Sequence, residues 1–418
     1  MTASEMSGGL SAAEAAARLG VKPATLYAYV SRGLLTRRAG PDGRTSRFDA
    51  AEIELLARRG RPRRPAGAAD ITVESAITQI GPGWLRYCGY DAVELALTRP
   101  FEDVAELLWS GEPGHGGPWR ATHVALITGR AAQQALPADI LPLERFAVIV
   151  AAMAATDPLR LSLEPPSVRA AGRAIIAGLI DCLPGPDSLR GPDSLRGPDS
   201  LPGPDSAGGI ADRLWLKLCE RRATPALLRA LSAALVLLAD HELAASTLAA
   251  RAAASVRADP YAVVATGLGA VSGALHGGSS LGAEALLTAA RRPADVPKAV
   301  GELLRRGERV PGFGHLIYKG GDPRAVALLD LVRAAAPKSA QLAVADAVIA
   351  EVRRKSLPEP NVDFALATLA RVAGMIRGAG EAIFAVARAA GWVGHALEAY
   401  HTAPIRPRAV YTGPVREG

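Results

Sequence analysis

The stretch VPGFGHLIYKGGDPRA, Val310 to Ala325, interrupts a chain that otherwise reads as alanine-rich helix. Two glycines flank Phe313, His315 follows at once, and an Asp-Pro-Arg turn ends on Arg324 nine residues later. Glycine lets a backbone turn sharply and approach a ligand closely, and loops on a rigid scaffold are where binding groups collect. A helical protein that opens such a loop presents one imidazole and one guanidinium together.

Two other segments share this character. His276 lies in GALHGGSSLGAEAL, with Gly-Gly directly after it, and His241 lies in LADHELAAS. A carboxylate, Asp363, stands in EPNVDFALATLA. Of the seven histidines, His115, His123, His395 and His401 have no comparable setting and read as structural.

Composition supports helices around these loops. Hydrophobic residues make up 49% of 418 and aromatics only 5%, so the core is built of Ala, Leu and Val. Alanine is the best helix former, whereas strands favour β-branched and aromatic side chains. No apolar run reaches the roughly eighteen residues that suggest a membrane span, and the start MTASEMSGGL lacks a signal-peptide apolar region. Cys88, Cys182 and Cys219 form no CxxC pair, which argues against a zinc site or disulfide framework and fits a cytoplasmic protein. No metal-ligand, P-loop or dinucleotide-binding spacing occurs.

The formal charge of +7 is uneven: residues 1–65 hold 12 Lys and Arg against 6 Asp and Glu, and the remainder is nearly neutral. Ser11 and Glu14 form a capping-box pattern opening a helix through Arg18. A second short helix is expected over Pro23–Ser31, then a basic hairpin around Pro41-Asp42-Gly43, then a third helix capped by Asp49. Residues 1–60 resemble the winged helix-turn-helix of MerR-type and excisionase-like DNA-binding domains. That resemblance implies Lys22, Thr25, Tyr27 and Tyr29 on or beside a recognition helix, with Arg44 and Arg47 at phosphates. DNA is then a possible partner; a module used only for oligomerisation is the alternative.

Residues 61–70 read as a linker of Arg, Pro and Gly, and 71–418 as the main region, helical except at 185–206. There GPDSLR repeats in tandem without an apolar face, as expected of an exposed flexible insertion.

From about Asp70 onward the chain resembles the citrate synthase family. The residues carrying the likeness are G-A-L-H-G-G at His276, G-F-G-H followed by D-P-R at His315 to Arg324, and P-N-V-D-F at Asp363. The opening ITQIGPGWLRYCGYD and closing IRPRAVYTGP also resemble family segments. Three departures stand out: Cys88 where the opening segment commonly has Arg, Leu316 where many bacterial members carry Arg, and HGGSSLG in place of H-G-G-A-N-E.

The resemblance implies a mostly α fold of large and small helical domains, and an acyltransferase condensing acetyl-CoA with oxaloacetate to citrate and CoA. It implies that Asp363 removes a proton from the thioester methyl, His276 hydrogen-bonds the thioester oxygen, and His315 protonates the oxaloacetate carbonyl. His241, Arg324 and Arg388 would bind the substrate, and Arg406 would reach in from a second subunit of a homodimer. No cofactor would be held permanently and no metal needed; the acyl-CoA is a co-substrate. Propionyl-CoA is the competing substrate, which would make a 2-methylcitrate synthase. A reading of another class is a DNA-binding regulator that senses CoA or a carboxylate through an inherited body.

Overall fold

The computed structural model describes residues 10–19, 21, 26–27, 29–30, 35–39, 45–50, 52–53, 73–114, 119–186, 208–274, 276–407, 409 and 413. The chain divides into two units, Met1–Val73 with Arg406–Gly418, and Glu74–Ile405.

In the first unit the helix Ala12–Leu19 begins at the expected capping box. Glu14 Oε2 accepts from the Ser11 backbone N–H at 2.8 Å, and the Glu14 N–H reaches back to Ser11 Oγ at 3.2 Å. The strand Ser46–Phe48 lies between Leu10–Ser11 and Arg37–Ala39, antiparallel to both, so the two strands flanking the expected basic turn are paired, while the turn itself, Pro41-Asp42-Gly43, lies outside the described residues. Ala15, Ala16, Leu26, Leu35, Phe48 and Ile53 form a small separate core. Asp49 Oδ1 accepts from the Glu52 N–H at 3.3 Å, the interaction expected of a cap. Lys22, Thr25 and Arg44, the linker 61–70 and residues 187–206 of the repeat lie outside the described residues.

The second unit is helical, with one departure from the helical expectation. Thr78–Gly81, Trp84–Tyr87 and Tyr90–Asp91 form a three-stranded antiparallel sheet. Pro82-Gly83 closes the first hairpin, Gly83 at φ +80°, and this Pro-Gly pair suits the left-handed position of a tight turn. Leu85 and Tyr87 point inward while Arg86 points out, a period-two pattern that overrides the alanine-rich average.

At the centre lies the helix Ala379–Ala399, buried along nearly its whole length. Phe101–Ser110, Pro165–Cys182, Pro225–Leu238, Ala245–Ser255 and Pro260–Val271 pack around it. Its Ala and Gly content lets neighbours approach closely; the Gly391 N–H reaches the Ala239 carbonyl at 2.9 Å. A second set of helices, Gly278–Ala289, Val296–Arg305, Pro323–Ala335, Ala340–Arg354 and Val362–Ala373, packs mutually and against the first. Several of these begin with proline in the first turn, where the missing N–H costs nothing. Among the described residues no helix is long and apolar enough to cross a membrane.

Candidate active site

The loop bearing His315 is fastened to the segment just before Asp363. The Gly314 N–H donates to the Glu359 carbonyl at 2.8 Å, and the Asn361 N–H to the Gly312 carbonyl at 2.9 Å. Asn361 Nδ2 donates to the Gly314 carbonyl at 3.0 Å, while Asn361 Oδ1 caps the next helix by accepting from the Asp363 N–H at 3.0 Å. One asparagine thus ties the imidazole loop to the helix start that carries the carboxylate. Gly312 is essential to this approach: its φ is +79°, and an added Cβ would lie 2.8 Å from Phe364 Cβ and 3.0 Å from Phe364 N. Asp322 makes a second tie. Its carboxylate accepts from Arg324 Nε at 3.0 Å, Arg324 Nη2 at 2.8 Å and the Val362 N–H at 3.1 Å. Burial alone would raise the Asp322 carboxyl, but Arg324 outweighs it and holds the group below its ordinary range.

His315 Nδ1 accepts from the N–H groups of Ile317, at 3.1 Å, and Tyr318, at 3.3 Å. A neutral imidazole that accepts at Nδ1 carries its proton on Nε2, so His315 offers an Nε2–H donor. Burial, then Arg324, lowers its pKa, which favours this neutral form. His241 lies with its ring centroid 5.3 Å from that of His315, and its Nε2 is 3.2 Å from the Tyr318 hydroxyl. It is 8% exposed, and burial, Arg324 and Arg388 push its pKa far down. Glu242, the next residue, has φ +54° and donates its N–H to Asp240 Oδ2 at 3.0 Å. Such left-handed strain in a non-glycine residue is a feature of sites held by their surroundings.

His276 has the opposite tautomer. Its Nε2 lies 2.8 Å from Ser246 Oγ and accepts from the Ser246 N–H at 3.4 Å, leaving Nδ1 to carry the proton. Burial, with Arg388 next, lowers its pKa to about 4, so the ring is neutral at pH 7. Asp363 accepts a hydrogen bond from the Ser279 side chain, yet withdrawal from water dominates and pushes its carboxyl up to about 6. That places a carboxylate close to the range a general base needs.

Two arginines complete the cluster. Arg388, 1% exposed, donates Nε to the Leu238 carbonyl at 2.8 Å and stacks over Phe384 at 4.7 Å. Its charge is felt by His241, His276, Asp240 and Asp363, which places all of them in one region. Arg324, 3% exposed, spends Nε and Nη2 on Asp322, leaving Nη1 for a ligand. Arg406 is exposed and belongs to the other unit. Of the proposed DNA-facing residues, Tyr27 is exposed with its ring against Phe48, Tyr29 packs on the small core, and Arg47 is exposed on the central strand.

Sequence reasoning passed over Ser246, Ser279, Asp322 and Tyr318 as partners of these groups. It also left His395 without a context, whereas His395 bridges two charged side chains. Its Nδ1 lies 2.8 Å from Arg251 Nη1 and its Nε2 3.4 Å from Asp240 Oδ2. No local signal marks these residues, because each acquires its partner only through the fold.

The family model described as "Citrate synthase, C-terminal domain" matches residues 67–408, and one described as "Helix-turn-helix domain" matches residues 10–61. The chain is 29% identical over 381 residues to citrate synthase 2 of Bacillus subtilis, covering 83% of this chain and 95% of that protein. It is 32% identical over 361 residues to the citrate synthase of Haloferax volcanii, covering 79% and 90%. It is also 26% identical over 349 residues to 2-methylcitrate synthase 1 of Corynebacterium glutamicum, covering 79% and 89%. Among solved structures, citrate synthase from Pyrobaculum aerophilum superposes with a TM-score of 0.67 at 27% identity, covering 84% of this chain and 92% of that one. The Thermoplasma acidophilum enzyme, solved with carboxymethyl coenzyme A and oxaloacetate, shares the fold with a TM-score of 0.68 at 24% identity, covering 84% and 96%.

Proposed function

The chain belongs to the citrate synthase family and is an enzyme of that type, and we propose that it joins acetyl-CoA to oxaloacetate, giving citrate and free CoA. The observation that carries this reading is the pairing of two neutral imidazoles, each with an N–H that has no acceptor among the described residues, with one carboxyl raised to about 6.

Asp363 takes a proton from the thioester methyl carbon, and the C–H electrons move into an enol double bond. His276 donates through Nδ1–H to the thioester oxygen as negative charge develops there, in a setting partly withdrawn from water where such a bond counts most. The enol carbon then attacks the oxaloacetate carbonyl carbon while His315 gives its Nε2 proton to that carbonyl oxygen. Arg324 Nη1, Arg388 and His241 hold the dicarboxylate, because a misplaced electrophile forfeits most of the proximity effect. Water then hydrolyses the citryl thioester, and CoA leaves as the thiol. Arg406 from a second copy of the chain completes the carboxylate grip, so the working unit is a homodimer.

Mass analysis of the product from acetyl-CoA and from propionyl-CoA, each with oxaloacetate, tests this. Citrate formed with the higher kcat/KM supports the proposal; preferential 2-methylcitrate would replace the acyl group while keeping the mechanism. One methylene is worth about 1–3 kcal/mol, so the preference should be readable. For the first unit, we propose weak DNA binding by a dimer through its basic hairpin. A gel shift that survives deletion of residues 1–65 would contradict that.

A further inference from the structure

We propose that a second site, away from the cluster just described, binds a compact anion with two negative charges, carboxylate or phosphoryl, and acts on the joint between the helices of Asp363 and Arg388. The site is a cavity of about 350 Å³ bordered by Asp139, Arg145, Leu183, Lys217, Ile376 and Arg377. None of the candidate catalytic or substrate-binding residues borders it.

Among the described residues three cations and one carboxylate, Asp139, border this space, while Glu284 and Glu381 act on Arg377 and Asp181 on Lys217 from beyond the lining. Lys217 Nζ is fixed by the Leu183 carbonyl at 2.7 Å and the Asp181 carbonyl at 3.4 Å, which uses two of its three donors. Arg145, 6% exposed, binds only backbone carbonyls among the described residues: Pro137 at 3.0 Å and Ala138 at 3.4 Å, both through Nη2. Arg377 is exposed, and its charge is felt by the carboxyls of Glu284 and Glu381. Behind them, Asp181 is engaged by Arg213. Burial, with Arg130 next, lowers Lys217 to about 8, against the opposing pull of Asp181. A concave wall with cations in excess concentrates anions.

The cavity adjoins the joint. Leu218, next to Lys217, accepts the Ile376 N–H at 2.9 Å, and Arg221 Nη2 donates to the Ala373 carbonyl at 2.6 Å. Glu284 accepts the N–H groups of Gly378 at 3.0 Å and Gly380 at 3.1 Å. Residues 374–378 therefore connect the helix Val362–Ala373 to Ala379–Ala399 while one of them, Arg377, faces the cavity. An anion drawing Arg377 toward Lys217 loads that connection directly.

The test titrates the full chain with sodium pyrophosphate and, separately, with sodium malonate, at ionic strength held constant with NaCl, reading Tm. We expect a saturable rise with at least one probe, retained with CoA and oxaloacetate saturating, and an apparent affinity at least tenfold weaker in Arg377→Gln and Lys217→Gln. The tighter probe assigns phosphoryl or carboxylate chemistry. No saturable rise with either probe, an unchanged affinity in Arg377→Gln, or loss of the rise under saturating CoA overturns the site. Arg377 is exposed, so its variant should fold even if Lys217→Gln does not. In a parallel arm the preferred probe should change kcat/KM at least twofold in the native chain and not in Arg377→Gln; binding without that change overturns the action on the joint. Only this arm rests on the condensation reading, which would fail separately, by absence of turnover without any probe.

Discussion

Ser246 holds one face of His276, its hydroxyl 2.8 Å from Nε2 and its backbone N–H 3.4 Å away, so the ring's proton is displaced to Nδ1. Removing the hydroxyl in Ser246→Ala leaves only the weaker backbone donor. One hydrogen bond of about 1–1.5 kcal/mol corresponds to roughly tenfold. We expect kcat to fall about tenfold with little change in KM for oxaloacetate, read from steady-state thiol release.

The acid limb of the rate profile should belong to Asp363. With its carboxyl raised to about 6 and the imidazoles held neutral, kcat/KM should fall with unit slope below about pH 6 and level off above about pH 7. Asp363→Asn should lower kcat by roughly 10³-fold, within the span assigned to general bases.

The same substitution should stabilise the fold. A carboxyl whose folded pKa, about 6, exceeds its ordinary 3.8 costs stability as pH rises through that interval, since the unfolded chain gives up the proton first. Asp363→Asn removes the cost. Its Tm should exceed the native value by about 2–5 °C at pH 8, and the gap should close near pH 4, by calorimetry.

The three motifs were legible because their chemistry is local: Gly312, Gly314 and Asn361 carry their backbone requirements in their own identities. The sheet at 78–91 was not, because the alanine-rich average hides a short alternating run around Pro82-Gly83. Ser246 and Asp322 were not either. Ser246 sits in an ordinary alanine-rich helix and meets His276 only across thirty residues of chain. Asp322 was visible as part of D-P-R, but its bidentate hold on Arg324 and its link to Val362 depend on packing between two helices.

Gly312→Ala should be severe. Left-handed backbone costs a non-glycine residue about 1–2 kcal/mol, and overlap with Phe364 adds about 1–3 kcal/mol. Urea unfolding should show the sum, and kcat/KM should drop at least tenfold as the His315 loop shifts against Asp363.

Arg251 joins His395, Glu398 and the Glu74 carbonyl while only 2% exposed. Arg251→Met would leave a carboxylate without its partner beside the buried His395–Asp240 pair. A loss of about 1–3 kcal/mol by urea unfolding is expected, since Glu398, partly exposed and still accepting the Ala76 N–H, loses its charged partner.

The most direct measurement is CoA-thiol release from acetyl-CoA, with and without oxaloacetate, by the native chain and by Asp363→Asn. The account predicts release that depends on oxaloacetate in the native chain and is lost, roughly 10³-fold, in the variant. Absence of release from the native chain, or release that is equally fast in Asp363→Asn, would contradict it.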